Sequence, residues 1–207
     1  MTDKTQSLQD DLAFMRGIAE GGAPIRSVAF GATYLAAGLI YGAQMLFHWG
    51  QAVGWISLAQ GPSIAIAVGF TVVFLVVLGV IQWRSRARPP TGFAARALAA
   101  AFAATGTANC AMIALFGLVA ARHHSMTIWL LYPAVVFALQ GAAWFIAAIV
   151  QRRRWMMLVA LGWLASAVGL GLTIDNVPSY IAVCGLSLLI WMAVPGALML
   201  RQAREAS

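Results

Sequence analysis

Long apolar runs, separated by short polar or basic segments, dominate this chain. The runs occupy residues 28–47, 64–83, 97–121, 126–150, 155–174 and 180–200. Each is long enough to supply the roughly 20 apolar residues that a helix needs to cross a bilayer. The pattern therefore predicts an all-α integral membrane protein, with a bundle of six transmembrane helices over residues 26–201 and a short tail at 202–207.

The N-terminal segment, residues 1–25, is polar but carries a helical pattern of apolar positions. A short amphipathic helix is predicted over residues 7–20, ended by Gly21, Gly22 and Pro24. We expect this helix on the cytoplasmic side, where it either lies flat on the membrane or docks a cytoplasmic partner. Its apolar face, the candidate docking surface, is formed by Leu8, Leu12, Phe14, Met15 and Ile18.

The charge distribution predicts an orientation. The chain has a net charge of +7, with 62% hydrophobic and only 9% charged residues. Its arginines cluster at one set of helix ends, in the segments 84–96, 152–154 and 201–204, whereas the other ends carry only Arg122. Short basic loops stay in the cytoplasm. We therefore expect a multipass protein of the bacterial cytoplasmic membrane with both termini inside, whose arginines face lipid headgroups rather than nucleic acid.

The interiors of the spans contain no Asp, Glu, Lys or Arg. Ion-coupled carriers and pumps usually place such groups at mid-membrane, so the pattern argues against coupled transport. The spans also contain no hydrolase elbow, phosphate-binding loop, zinc-protease motif or pair of acidic residues. We expect a protein without enzymatic activity.

A few uncharged polar side chains within the spans are the candidate ligand-binding residues. Amides are costly to leave without hydrogen bonds in an apolar medium, so each needs a partner. That partner is either another helix, in which case the residue only joins helices, or a neutral or lipophilic ligand held in the bundle. The candidates are Tyr34, Tyr41, Gln44, Asn109 and Gln140.

Three histidines are weak candidates for metal binding. His48 follows the first apolar run, and His123 and His124 follow the third, all at the end opposite to the arginine clusters. Imidazole suits copper and haem iron, although the spacing matches no known metal motif. No cofactor is predicted, while haem and copper stay open as ligands of these residues.

Our leading hypothesis for function is a non-enzymatic partner or regulatory subunit that docks a cytoplasmic or membrane protein through its cytoplasmic face. The alternative is a small uncoupled transporter or binder of a neutral or lipophilic molecule, and metal or haem binding comes third. Gly38 and Gly42 form a small-residue motif for close helix packing, either within the bundle or between copies in a homo-oligomer. Pro195 and Gly196 predict a kink in the last helix.

Overall fold

The computed structural model describes residues 28–86 and 93–205, and side chains in the second range from residue 97 onward. The predicted amphipathic helix over residues 7–20 lies outside these ranges, with its apolar residues Leu8, Leu12, Phe14, Met15 and Ile18. Residues 87–92 of the basic loop and 206–207 of the tail also lie outside them.

Six helices make up the described chain, and no strand is found within these ranges. Each helix is long and apolar enough to cross a membrane, which confirms the predicted all-α bundle of six spanning helices. The helices are α1 (Val28–Ala52), α2 (Gln60–Ser85), α3 (Phe93–His123), α4 (Met126–Gln151), α5 (Arg154–Leu172) and α6 (Val177–Arg204).

The first helix continues past residue 47, where the apolar run ends. Nothing in the following residues interrupts the helix until Gly54, whose φ of 82° is favourable for glycine. The side chain of Gln51 then fixes the connection to α2, because its Oε1 lies 2.9 Å from His48 Nδ1 and accepts a hydrogen bond from Ser63 at 3.0 Å. Pro62 falls in the first turn of α2, where its missing N–H has no helical partner to lose.

The helices are connected by packing in the order α2, α1, α6, α5, α4, α3. The two terminal members, α2 and α3, make no extended contact with each other, so the arrangement is open between them. We call this gap the open side. None of the residues of α2 is buried, and Leu98 is the only buried residue among the described side chains of α3. The core is therefore built mainly by the other four helices, around Trp144, Met156 and Trp163.

Small residues bring α1 and α6 into close contact. A Cβ atom added to Gly38 would lie 2.8 Å from Ala193 Cα, and one added to Gly42 would lie 2.7 Å from Leu189 Cδ2. On α6, a Cβ atom added to Gly196 would lie 2.8 Å from Leu35 Cα. Such distances exclude larger side chains without movement of the backbone or of Leu189. The Gly38 and Gly42 motif therefore packs within the bundle.

A π-helical turn, Leu189–Ala193, interrupts α6 just before Pro195. Proline has no N–H to donate, and the N–H of Val194 reaches five residues back to the carbonyl of Leu189. The sequence predicts a kink at Pro195 and Gly196, and the helix here has a π-helical turn just before these residues. It lies against Gly38 through Ala193 and against Gly162 through Trp191, so both contacts depend on small residues.

Candidate functional site

A groove of about 320 Å³ lies between α1 and α2. We call it the Gln44 groove. Its α2 wall follows helical spacing, with apolar residues and one hydroxyl on a single face, and α1 contributes one amide. The lining residues are Gln44, Ile64, Ala67, Val68, Thr71 and Val72. Ile64, Val68 and Val72 are 51–56% exposed, so the groove opens at the outer surface of the helices.

The amide oxygen of Gln44 is the distinctive atom of this groove. Gln44 Oε1 is buried and has no hydrogen-bond partner among the described atoms. A buried acceptor without a partner costs about 1–3 kcal/mol, because it has lost its hydrogen bond to water and gained none in return. The groove can therefore accept a hydrogen bond from a neutral hydroxyl or N–H group on a molecule with an apolar body.

Two further pairs of polar side chains link neighbouring helices. Thr71 lines the groove, and its side chain also interacts with that of Tyr41 on α1. Separately, Tyr132 of α4 donates a 2.7 Å hydrogen bond to Asn109 Oδ1 of α3. One of these pairs thus joins α1 to α2, and the other joins α3 to α4.

A second polar cluster is closed to any ligand. The hydroxyl of Tyr34 donates to Gln140 Oε1 at 2.5 Å and accepts from Trp144 Nε1 at 3.1 Å. Tyr34 is only 5% exposed and Trp144 is fully buried, with the rings of Phe30 and Phe102 packed around them. We call this group the tyrosine knot. Its hydrogen bonds join α1 to α4, and the hydroxyl of Tyr34 both donates and accepts in them.

The five candidate ligand residues therefore separate into two groups. Tyr34 and Gln140 bind each other in the tyrosine knot, about 15 Å along α1 from Gln44 at a helical rise of 1.5 Å per residue. Gln44 lies in the groove, Tyr41 is linked to the groove through Thr71, and Asn109 accepts a hydrogen bond from Tyr132 outside the groove. The sequence favours the three amides, Gln44, Asn109 and Gln140, as site residues, but only Gln44 lies in the groove.

Thr71, which lines the groove, and Tyr132, which is the partner of Asn109, are not among the candidates predicted from the sequence. Thr71 is the only residue with a polar side chain between Ile64 and Ile81, and this isolation was a usable signal. Tyr132 offered no such signal, because a tyrosine close to a helix end is typical of the membrane interface. Only the position of Asn109 on the neighbouring helix distinguishes it.

Two tryptophan N–H groups, those of Trp155 and Trp163, are also buried without a hydrogen-bond partner among the described atoms. Both residues belong to the packed core, and neither lines the Gln44 groove. The groove is thus the place where a partnerless polar atom and open volume coincide.

The histidines lie apart from the groove. His48 Nδ1 interacts with Gln51, whereas His123 and His124 are exposed at the end of α3. In the ranges 28–86 and 93–205, no group of three or more His, Cys, Asp or Glu residues is placed to hold a metal ion.

No protein-family model, curated protein or solved structure matches this chain. We therefore infer function from the described side chains alone.

Proposed function

We propose that this protein is a non-enzymatic membrane protein that binds a neutral, lipophilic molecule in the Gln44 groove. The observation that carries the proposal is the buried Oε1 of Gln44, which has no partner among the described atoms and lies in a groove of about 320 Å³. Ligand pockets usually have volumes of about 300–1,000 Å³ and combine apolar walls with a few polar atoms.

The chemistry of the groove defines the class of ligand. Its walls are apolar except for Gln44 and Thr71, and none of its lining residues is ionisable. A charged ligand would lose its hydration there without gaining a countercharge. The ligand is therefore an uncharged molecule with at least one hydroxyl or N–H donor, and it enters sideways from the bilayer across the exposed face of α2.

The tyrosine knot favours binding over transport. The rings of Tyr34, Phe102 and Trp144 fill the space between α1, α3 and α4. Together with the absence of charged residues from the span interiors, this supports a binder rather than a carrier with a path through the bundle.

The test is a comparison of the small molecules that co-purify with the wild type and two variants. Wild-type protein and the variants Gln44→Met and Gln82→Met are purified in the same mild detergent, and their organic extracts are analysed by mass spectrometry. Gln82→Met makes the same chemical change on α2 outside the groove. We expect one neutral compound to be retained by the wild type and by Gln82→Met and to be lost from Gln44→Met. Equal retention by all three proteins would contradict the proposal.

We further propose that the protein lies in a bacterial cytoplasmic membrane with both termini in the cytoplasm. The support is the charge asymmetry, since Arg84, Arg86, Arg152–Arg154, Arg201 and Arg204 all lie at one set of helix ends. A C-terminal fusion to a reporter that fluoresces only in the cytoplasm should be bright. If this fusion is dark and a C-terminal fusion to a periplasmic reporter is active, the C-terminus lies outside the cytoplasm and the proposed orientation is wrong.

The partner-subunit hypothesis remains as a second candidate, and one observation favours it. The side of the bundle formed by α2 and α3 buries only Leu98 among its described residues, so it offers a broad surface for a membrane partner. The cytoplasmic docking segment that this hypothesis predicts, residues 7–20, lies outside the described ranges. Deletion of residues 2–20 should release a co-purifying protein, and retention of every such protein would reject docking through this segment.

A further inference from the structure

A second groove, of about 420 Å³, lies at the turn between α4 and α5. We call it the arginine groove. Three consecutive arginines line one part of it and apolar side chains line the rest. The lining residues are Ala148, Arg152, Arg153, Arg154, Met157, Leu158 and Leu161. The groove is thus basic at the helix ends and apolar along α5.

The charge of these arginines is not balanced by the described part of the chain. Its only acidic residues are Asp175 and Glu205. Glu205 pairs with Arg201, at 2.9 Å between Oε1 and Nε. Asp175 follows the far end of α5, about 30 Å from Arg154 at a rise of 1.5 Å per residue. Within residues 28–86 and 93–205, no carboxylate is therefore available to the arginine groove.

The start of α5 favours an anion for a separate reason. Arg153 is the N-cap residue, and no side chain caps the first turn. The first amides of a helix lack intrahelical acceptors and lie at the positive end of the helix dipole, so cations are unfavourable there and anions are favourable. An anion in this groove would meet both the guanidinium groups and the amides of the first turn.

The apolar part of the groove indicates that the anion belongs to a molecule with an apolar chain. Met157, Leu158 and Leu161 extend along α5 away from the arginines, and Leu158 and Leu161 are 61% and 54% exposed. A free inorganic anion would leave this surface unused. We propose that the arginine groove binds an anionic phospholipid, with its phosphate at Arg152–Arg154 and an acyl chain against Met157, Leu158 and Leu161.

This binding site is independent of the proposed function. The two grooves share no lining residue, and they belong to different helix pairs, α1 with α2 and α4 with α5. The ligand classes also differ, since the arginine groove requires a negative charge and the Gln44 groove has no charged lining residue.

Native mass spectrometry of the full-length protein tests the proposal. The protein in neutral detergent is titrated with phosphatidylglycerol or with phosphatidylcholine carrying the same acyl chains. The wild type should retain phosphatidylglycerol in preference to phosphatidylcholine. The double variant Arg152→Gln/Arg154→Gln should weaken retention of phosphatidylglycerol by about tenfold, because each basic side chain near an anionic lipid contributes measurably to binding.

The matched control is Arg84→Gln/Arg86→Gln, which removes the same charge from the same set of helix ends. We expect it to change retention by no more than about twofold, since these residues lie outside the groove. An equal loss in both double variants would show diffuse electrostatic attraction and would overturn the proposal. The single variant Arg154→Gln, with a smaller loss in the same direction, provides the test if the double variant does not fold.

Inorganic phosphate distinguishes the two sources of the anion. Added to the wild type already loaded with phosphatidylglycerol, it should displace little lipid, because it cannot use the apolar wall. Displacement of the lipid by phosphate at comparable concentration would assign the groove to a soluble anion and would contradict the lipid proposal.

Discussion

The tyrosine knot and the Gln44 groove each contain a glutamine, and the two amides have different surroundings. In the knot, Gln140 accepts from Tyr34, and Tyr34 also accepts from Trp144, so each of these polar groups has a partner. In the groove, Gln44 Oε1 is buried without one. The comparison shows that a glutamine in a membrane helix does not by itself indicate a ligand site. What matters is whether a neighbouring helix already supplies its hydrogen bond.

The largest expected effect follows from breaking the knot. Tyr34→Phe removes one hydroxyl but leaves two buried polar groups without partners, Gln140 Oε1 and Trp144 Nε1. Since each unsatisfied group costs about 1–3 kcal/mol, we expect the free energy of unfolding to fall by about 2–4 kcal/mol. Unfolding in mixed micelles with increasing dodecyl sulfate measures it. An unchanged unfolding midpoint would mean that the knot does not hold α1 to α4.

A smaller effect is expected where Tyr132 donates to Asn109. Tyr132→Phe removes a single hydrogen bond between α4 and α3. Such bonds between membrane helices contribute about 0.6 kcal/mol on average, so we expect a loss of that order. A double-mutant cycle with Asn109→Leu isolates the pair. Strictly additive effects of the two substitutions would show that the residues are not coupled.

The smallest effect is expected at Tyr41, the counterpart of Tyr34 seven residues further along α1. Its hydroxyl interacts with Thr71, whose own hydroxyl also donates to the carbonyl of Ala67. Tyr41→Phe therefore leaves no strongly buried group without a partner, and we expect a loss below about 0.6 kcal/mol in the same unfolding assay. A loss as large as that of Tyr34→Phe would place Tyr41 in the structural core.

The number of helices was predictable from the sequence because an apolar run of membrane length has few alternatives. The end of α1 was not, because His48 and Trp49 resemble interface residues, yet the helix continues to Ala52. The π turn in α6 also could not be read from Pro195 alone, because a proline predicts a disturbed helix and not the form of the disturbance.

The candidate site was predictable only as a set of residue types. Gln44 and Gln140 look alike in the sequence, and their difference arises from contacts between helices that are distant along the chain. Tyr34 and Gln140 are separated by 106 positions. Periodicity places both on helices, but it does not specify which neighbouring helix, if any, presents a hydroxyl to them.

The most direct test of this account compares Gln44→Met with Gln140→Met in one unfolding experiment, on delipidated protein in the same mixed micelles. Methionine keeps the length of the side chain and removes the amide. We expect Gln44→Met to leave the free energy of unfolding unchanged or to raise it by about 1 kcal/mol, because an acceptor without a partner is removed. Gln140→Met should lower it by about 1–3 kcal/mol, because Tyr34 loses its acceptor. Equal destabilisation by both variants would show that Gln44 is a structural residue like Gln140, and it would contradict the assignment of the groove as a binding site.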